Sequence, residues 1–466
     1  MKRTEMRLNA FSMNCVAHMA PGQWRHPRDR TVDYRNVHHW AELAQTLEAA
    51  RFDALFLADV IGTYDVIDGS VDAALRSAAQ VPVNDPLLLV PAMALVTRHL
   101  GFGVTASVSY EHPYTFARRM STLDHLTEGR IAWNVVTSYL DSGARAFGRP
   151  ALREHDERYD FADEYLEVCY KLWEGSWEDD AVRRDRIAGI YADPAKVHDI
   201  RHRGQHFQVD GIHLCEPSPQ RTPVIFQAGG STRGRRFCAR HAEAVFTGAP
   251  SKAILRDFVD SIRAGAVEHG RRPDDLSIFN MHTVVVAESD ADAQRKLEDY
   301  RSRVDHRGAL ALISGWSGID FGKHGLDDPL RYVKTNAGQS FVETFSSADH
   351  KRTWTVRELA DWVAIGGRGP IVAGSPSTVA DELQSWIEET GADGFNLCSV
   401  VMPETFADIA RLLVPELQRR GVYKTEYADG TLREKLFGRG SRLFAGHPGH
   451  AAKAGVRQAA GLRAAE

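Results

Sequence analysis

Short apolar runs alternate with amphipathic stretches along most of the chain. The apolar runs predict eight buried strands, at residues 8–11, 53–59, 100–107, 131–136, 224–228, 243–248, 277–287 and 394–400. Apolar residues three and four positions apart predict nine helices, at residues 37–50, 85–96, 113–126, 158–173, 234–242, 251–269, 290–304, 376–389 and 404–419. Because a helix follows each strand, the pattern predicts an α/β fold, a (β/α)8 TIM barrel with long insertions, in preference to an open doubly wound sheet.

Two polar segments, at about residues 174–221 and 305–355, interrupt this alternation. Segments of this length inside a compact domain are typical of lids or binding loops, so both are interpreted as insertions into one domain that covers residues 1–437. Residues 438–466 are rich in Gly, Ala, Arg and His, which predicts a disordered tail.

Composition narrows the class of protein. With 43% hydrophobic and 26% charged residues the chain can bury a large core, and its formal net charge of −5 argues against a nucleic-acid-binding protein. No apolar run approaches the roughly 20 residues that span a bilayer, and the first residues lack the apolar stretch of a secretion signal. The five cysteines form no CxxC pair, which predicts reduced thiols and a cytoplasmic protein.

Small polar residues end the fourth predicted strand. Asn134, Thr137 and Ser138 follow the apolar start of residues 131–136, and all three can hydrogen-bond a ligand. The carboxyl ends of barrel strands are where chemistry takes place in this architecture. Judged by spacing alone, an ordinary turn is the more common outcome for such a sequence.

The fifth strand runs into Gly229, Gly230 and Ser231 at the start of a helix, with Arg233 and further arginines close behind. Free backbone amides, the helix dipole and a guanidinium together suit a phosphate group. An ordinary helix cap explains the same residues equally well.

Two other patterns are rejected. The glycines of residues 101–106 match a dinucleotide fingerprint, but they open a strand instead of joining a strand to a helix. His198, His202 and His206 have helical metal-ligand spacing, but Gly204 and the β-branched and aromatic context argue against a helix. No metal site is therefore predicted.

The sequence Gly-Arg-Ile-Ala-Trp-Asn-Val-Val-Thr-Ser at residues 129–138 resembles a signature of flavin-dependent monooxygenases related to bacterial luciferase. It is most similar to the branch with nitrilotriacetate monooxygenase, pristinamycin synthase and dibenzothiophene sulfone monooxygenase. The resemblance runs from about residue 7 to 437, with further matches at residues 22–27, 57–59, 155–159, 226–231 and 382–383. It implies a luciferase-like TIM barrel that uses reduced FMN and O2, a separate reductase that consumes NADH to supply the reduced FMN, and a homodimer or homotetramer.

The resemblance also assigns roles to individual residues. His18, just past the first strand, is the implied catalytic residue, in a position to hydrogen-bond an oxygen of the reacting species. The implied FMN-binding residues are Asp59, Thr105, Asn134, Ser138, His155, Tyr159, Gly230 and Ser231. Phe11 and Trp316 are expected to contact the substrate. Sulfone-cleaving members tend to have His at the position of Trp316, which argues against a bulky sulfone.

Shorter matches, such as Asn-Ala-Phe at residues 9–11 and Cys-Glu-Pro-Ser-Pro-Gln at residues 215–220, resemble members that oxidise dimethyl sulfide. They imply a small organosulfur substrate. An aminopolycarboxylate or a sulfone is an alternative substrate within the same family. A deazaflavin-dependent oxidoreductase and a non-catalytic flavin-binding protein are alternatives with the same fold.

Overall fold

The computed structural model describes residues 5–330 and 354–453, and its centre is a closed barrel of eight parallel strands. The strands are β1 Arg7–Met13, β2 Ala54–Ala58, β3 Gly101–Ser107, β4 Ile131–Val136, β5 Val224–Gln227, β6 Ala244–Thr247, β7 Ser277–Val286 and β8 Gly394–Cys398. Each strand pairs with the next along the chain, and β8 pairs with β1 to close the barrel. The predicted (β/α)8 barrel and all eight predicted strands are confirmed.

Helices surround the barrel as predicted. The α-helices are Val37–Ala49, Asp72–Ser77, Val90–Leu95, Pro113–Leu126, Asp141–Ala146, His155–Tyr170, Thr232–His241, Lys252–Glu268, Asp290–Arg301, His306–Ser317, Val356–Val363, Pro376–Thr390, Glu404–Asp408, Val414–Arg419 and Leu432–Phe437. Two π-helical turns, Lys171–Gly175 and Ile409–Leu413, extend helices at their ends. Short 3-10 turns occur at Gln23–Arg25, Thr31–Asp33, Ile67–Gly69, Pro86–Leu89, Pro194–Lys196, Pro273–Asp275 and Phe321–Lys323. In the described ranges no helix is long and apolar enough to cross a membrane.

Aromatic side chains fill the interior of the barrel toward the amino-terminal ends of the strands. The rings of Phe56, Phe226 and Phe246 lie 4.6–5.7 Å apart in every pairing, and Phe279 stacks on Phe246 at 5.1 Å. The helix Leu432–Phe437 covers the amino-terminal end of the barrel with apolar side chains. Since this end is closed, the carboxyl ends of the strands are left as the place for a site.

The insertions add small elements at the rim. The first contains two strand pairs, Val182–Asp185 with Ile190–Ala192 and His202–Arg203 with Gln208–Val209. The second contributes the helix His306–Ser317, which is buried along most of its length. Residues 331–353 of this predicted insertion lie outside the described residues.

The segment that follows residue 437 is packed against the barrel through residue 453. His447 is buried and lies with Nε2 2.8 Å from the carbonyl oxygen of His241, and Arg442 donates to Glu174 at 2.9 Å. The expectation of a disordered tail from residue 438 is therefore wrong for residues 438–453. The segment is rich in Gly and Ala, but His447 and Arg442 make contacts that hold it against the barrel. Residues 454–466 lie outside the described part of the chain.

Candidate functional site

A cavity of about 850 Å³ opens at the carboxyl ends of the barrel strands. Its wall includes all eleven residues that were predicted from sequence to form a site: Phe11, His18, Asp59, Thr105, Asn134, Ser138, His155, Tyr159, Gly230, Ser231 and Trp316. These residues come from five of the eight strand ends, from the helix His155–Tyr170 and from an insertion helix, so the barrel brings together positions that are far apart in sequence.

One end of the cavity is the turn between β5 and the helix Thr232–His241. Ser231 caps this helix, and its hydroxyl accepts a hydrogen bond from the Gly234 amide at 3.1 Å. His155 Nε2 lies 3.3 Å from the same hydroxyl. Burial raises the pKa of Tyr159 to about 12, so its phenol stays protonated and can donate. The turn therefore offers several donors at a helix N-terminus, an arrangement that suits a phosphate.

Arg233, which the sequence suggested as a phosphate ligand, faces away from the cavity wall. Its guanidinium donates to Asp160 at 2.8 Å and to Asp163 at 2.6 Å, and it lies 5.4 Å from the centre of the Tyr159 ring. The arginines on the cavity wall are Arg158 and Arg235 near the turn, and Arg236 and Arg368 farther along. Sequence position alone could not show this, because adjacent helical residues point in different directions.

The Asp163 carboxylate links the Ser231 turn to the core. Burial by itself would raise its pKa, but the hydrogen bond with His241 and the pairing with Arg233 outweigh burial and lower the pKa to about 2. His241 is buried, and desolvation lowers its pKa to about 4, so at neutral pH it is an uncharged donor to Asp163. This cluster fixes the helix that begins at Ser231.

Polar groups on β3 and β4 line the middle of the cavity. Thr105 and Asn134 are register partners, and the Asn134 amide donates to the Thr105 hydroxyl at 2.9 Å. The amide oxygen Oδ1 of Asn134 is buried without a partner among the described protein atoms. Ser138 has a φ of +64° and shares a hydrogen bond of 2.7 Å with Ser107. The Asn134 oxygen is thus a ready acceptor for a ligand N–H.

Asp59 follows β2 and lines the same cavity. Desolvation raises the pKa of its carboxyl to about 7, with a further contribution from the negative charge of Asp85, while the Val60 amide acts in the opposite direction. Among the residues that the structure describes, no Lys, Arg or His lies within ion-pair distance of this carboxyl, whereas most buried carboxylates have such a partner.

His18 lies at the inner end of the cavity, against Phe11. The two rings meet edge to face with their centroids 4.6 Å apart. Desolvation lowers the pKa of His18 to about 3, and its Nε2 is buried with no protein partner in the described chain. The imidazole is therefore neutral at physiological pH, with one ring nitrogen left for a ligand in the cavity.

Trp316 reaches this inner end from the insertion helix and joins a hydrogen-bond network that the sequence did not reveal. Its indole donates to the Tyr64 hydroxyl at 3.2 Å, which in turn donates to Gln80 at 2.7 Å and lies 2.6 Å from the Tyr139 hydroxyl. Gln80 donates to the carbonyl oxygen of His18 at 2.8 Å. The sequence offered a signal for Tyr139, which directly follows the predicted site residue Ser138. It offered none for Tyr64 and Gln80, which lie between β2 and β3 at positions where no strand or helix was predicted.

The three histidines with metal-like spacing do not form a helix. His202 belongs to a short strand, and its ring contacts Glu164 at 3.1 Å, while His198 contacts Glu178 at 2.9 Å. In the described ranges, no group of three or more His, Cys, Asp or Glu side chains could hold a metal ion.

Comparisons with known proteins place this site in a family. A family model described as luciferase-like monooxygenase matches residues 10–394. The chain belongs to the luciferase-like monooxygenase family. The resemblance found in the sequence is confirmed, and the protein is a flavin-dependent monooxygenase of a family that uses reduced flavin and O2.

Individual relatives cover nearly the whole luciferase-like chain. A long-chain alkane monooxygenase of Geobacillus thermodenitrificans is 52% identical over 94% of this chain and 95% of its own length. A dimethyl-sulfide monooxygenase of Hyphomicrobium sulfonivorans is 49% identical over 95% of this chain and 92% of its own. A crystal structure of riboflavin lyase with modified FMN and its substrate riboflavin superposes with a TM-score of 0.91 at 37% identity, over 96% of this chain and 99% of that one.

Proposed function

We propose that this chain is the oxygenase component of a two-component system that uses reduced FMN and O2 to oxygenate a small, mostly apolar organic molecule. The proposal rests on one continuous cavity. It contains the Ser231 turn, which suits one phosphate, at one end, and the neutral His18 with its apolar surroundings at the other.

The residues of the cavity fit a flavin mononucleotide. The phosphate would lie on the Ser231 turn, with His155 and Tyr159 beside it. The Asn134 oxygen, which lacks a protein partner, matches the imide N–H of the ring system, and Thr105 holds that side chain in place. Bound reduced FMN supplies the activation of O2, chemistry that no amino-acid side chain provides.

The inner end of the cavity would organise the substrate and the transferred oxygen. The neutral imidazole of His18 can donate or accept a hydrogen bond without adding a charge. Phe11 and Trp316 form an apolar part of the wall at this end. The hydrogen-bond network through Tyr64 and Gln80 fixes the loop that carries His18. Excluding water from this end favours oxygen transfer over loss of the oxidant to solvent.

A separate NADH-dependent flavin reductase is the proposed source of reduced FMN. The glycines of residues 101–106 lie at the start of β3 and do not lead into a helix, so this stretch does not form a nicotinamide-nucleotide site. The expected homodimer or homotetramer remains a prediction, which light scattering of the purified protein would test.

A small organosulfur compound such as dimethyl sulfide is the proposed substrate class. The dimethyl-sulfide monooxygenase relative and the apolar wall formed by Phe11, Met19 and Trp316 support it. A neutral alkane is a second candidate, because the long-chain alkane monooxygenase is slightly more similar in sequence. Both candidates are uncharged molecules that suit the apolar side chains of this end wall. Arg368, which also lines this end 5.8 Å from the Trp316 ring centre, makes an acidic substrate a necessary comparison.

The test is an assay with chemically reduced FMN, which removes the need to know the reductase. Dialkyl sulfides, alkanes of increasing length, a sulfone and an aminopolycarboxylate are supplied in parallel, and product is measured against hydrogen peroxide released. The proposal expects coupled product from a sulfide, and coupled product from alkanes alone would favour the second candidate. Turnover of the aminopolycarboxylate alone would show that the substrate class is wrong.

A further inference from the structure

Asp59 is a partly buried carboxyl on the cavity wall, and no Lys, Arg or His of the described residues lies within ion-pair distance of it. The carboxyl end of β2 presents it to the cavity, next to Ala58. Most buried carboxylates in the described chain are paired with a cation, as Glu243 is with Arg433 at 2.6 Å and Asp53 with Lys424 at 2.8 Å, whereas Asp124 accepts hydrogen bonds from Gln220 instead. Pairing is the usual condition for a buried charge, and a carboxyl without it tends to take up a proton.

Among the described residues, no positive charge lies within ion-pair distance of Asp59. Arg368 lines the same end of the cavity, but it interacts with Tyr139 and Tyr64 and lies over the Trp316 ring. Cys15, from the loop after β1, is buried, and Tyr139, from the loop after β4, is partly buried; desolvation raises the pKa of each, so both are neutral. Asp85, at the start of the turn Pro86–Leu89, carries a negative charge that disfavours a second one on Asp59. His18, on the same wall, is uncharged as well.

We propose that Asp59 is a neutral carboxylic acid in the cavity and that its O–H group donates a hydrogen bond to bound reduced FMN. The inference rests on the proposed function and deepens it by assigning a protonation state to one of its ligands. Reduced flavin carries negative charge on its ring system and on its phosphate. A carboxylate in the cavity would repel that charge, whereas a carboxylic acid stabilises it.

The first test needs no flavin. Infrared difference spectroscopy of the flavin-free wild type against Asp59→Asn should show a carboxylic-acid C=O band near neutral pH that the variant lacks. The control is Asp65→Asn, since Asp65 is paired with Arg145 and does not line the cavity. Absence of an acid band attributable to Asp59 at pH 6 would overturn the proposal.

The second test measures the Kd of reduced FMN under anaerobic conditions from pH 6 to 8.5 for wild type and Asp59→Asn. The ratio of the two Kd values cancels the ionisation of the flavin itself. Because Asn cannot ionise and still donates an N–H, wild-type binding should weaken relative to the variant as pH rises above 7, by up to roughly tenfold for each further pH unit. Asp59→Ala, which cannot donate, should bind more weakly than Asn throughout.

The outcomes separate this inference from the proposed function. A ratio that stays constant across the pH range, in proteins that do bind reduced FMN, overturns the neutral-acid role and leaves the monooxygenase proposal in place. If neither protein binds reduced FMN at any pH, the proposed function itself fails, and the infrared result still decides the state of Asp59.

Discussion

The two ends of the cavity handle charge in opposite ways. At the Ser231 turn, the proposed phosphate site, ionised groups are present and paired: Arg233 contacts Asp160 and Asp163, and Asp163 also contacts His241. At the inner end, which Arg368 also lines, burial disfavours the charged forms of His18 and Asp59: it lowers the pKa of His18 to about 3 and raises that of Asp59 to about 7.

This difference matches the two tasks proposed for the cavity, which are to hold the cofactor phosphate at one end and to place the reacting oxygen at the other. Paired charges make a rigid frame for a cofactor phosphate, and their cost of burial is offset by mutual attraction and hydrogen bonds. Neutral donors and acceptors in a dry pocket can hydrogen-bond a reacting oxygen without bringing a fixed charge to it. Variants of the Ser231 turn should therefore lose FMN affinity or stability, whereas variants of His18 at the inner end should lose the coupling of oxygen consumption to product.

The largest expected effect is at His18. We expect His18→Ala to reduce product formation by roughly 10²–10⁴-fold, the usual range for a positioned hydrogen-bonding or proton-transfer group, while reduced FMN still binds. The flavin should still consume O2, with hydrogen peroxide replacing product. The measurement is the ratio of product to hydrogen peroxide under saturating reduced FMN, and wild-type coupling in the variant would make His18 a bystander.

His18→Asn distinguishes two roles, because Asn can donate a hydrogen bond but does not titrate. Rescue by Asn indicates positioning, and equal loss in Ala and Asn indicates proton transfer. As the pKa of His18 is lowered to about 3, its charge should not change between pH 5 and 9, and any bell-shaped profile in that range must come from another group.

Ser231→Ala tests the phosphate end, and Asp59→Ala serves as its counterpart in the cavity interior. Each should weaken FMN binding by about 1–3 kcal/mol, the usual effect of losing a hydrogen bond to a charged or buried group. The matched control is Ser251→Ala, which removes the equivalent N-cap from the next helix. Ser231→Ala and Ser251→Ala should lose similar stability, but only the former should lose FMN affinity in a calorimetric titration.

A smaller effect, on stability, is expected in the cluster of Asp163, Arg233 and His241 behind the Ser231 turn. The folded-state pKa of Asp163 is about 2, below its ordinary value, so its stabilisation is present above about pH 4 and lost as pH falls toward 2. Asp163→Asn should lower the free energy of unfolding by ~2 kcal/mol at pH 7, and the gap from wild type should narrow in acid.

The control for this variant is Asp160→Asn. Asp160 also contacts Arg233, but its side chain is 66% exposed, and an exposed ion pair contributes little. Urea unfolding of both variants at pH 7 and pH 2.5 checks the prediction. Equal loss in the two would mean that burial of the Asp163 cluster is not what stabilises the turn.

The smallest expected effect is the choice between flavins. The turn at Ser231 offers donors for one phosphate, and the glycines of residues 101–106 do not provide a nucleotide fold for an adenosine half. Reduced FMN should bind more tightly than reduced FAD in parallel titrations. Equal or tighter binding of FAD would show that the cavity mouth recognises more than one phosphate.

The sequence predicts the barrel well because strands and helices leave a regular spacing of apolar residues in the sequence. The apolar side chains of the strands pack against the surrounding helices, and the resemblance over most of the chain points to residues that line the cavity at the strand ends. Contacts set by loops are not periodic. The partners of Arg233, the link from Trp316 through Tyr64 to Gln80, and the packing around His447 each depend on tertiary placement that the local pattern does not encode.

The most direct test of the account is single-turnover oxygenation with ¹⁸O2, using anaerobically loaded reduced FMN and a dialkyl sulfide, in wild type and His18→Ala. The account predicts one labelled oxygen atom transferred from O2 in the wild-type reaction, with labelled hydrogen peroxide replacing that product in the variant. Unlabelled product, or only hydrogen peroxide from wild type with every substrate class, would contradict the claim that this cavity couples bound reduced FMN to substrate oxygenation.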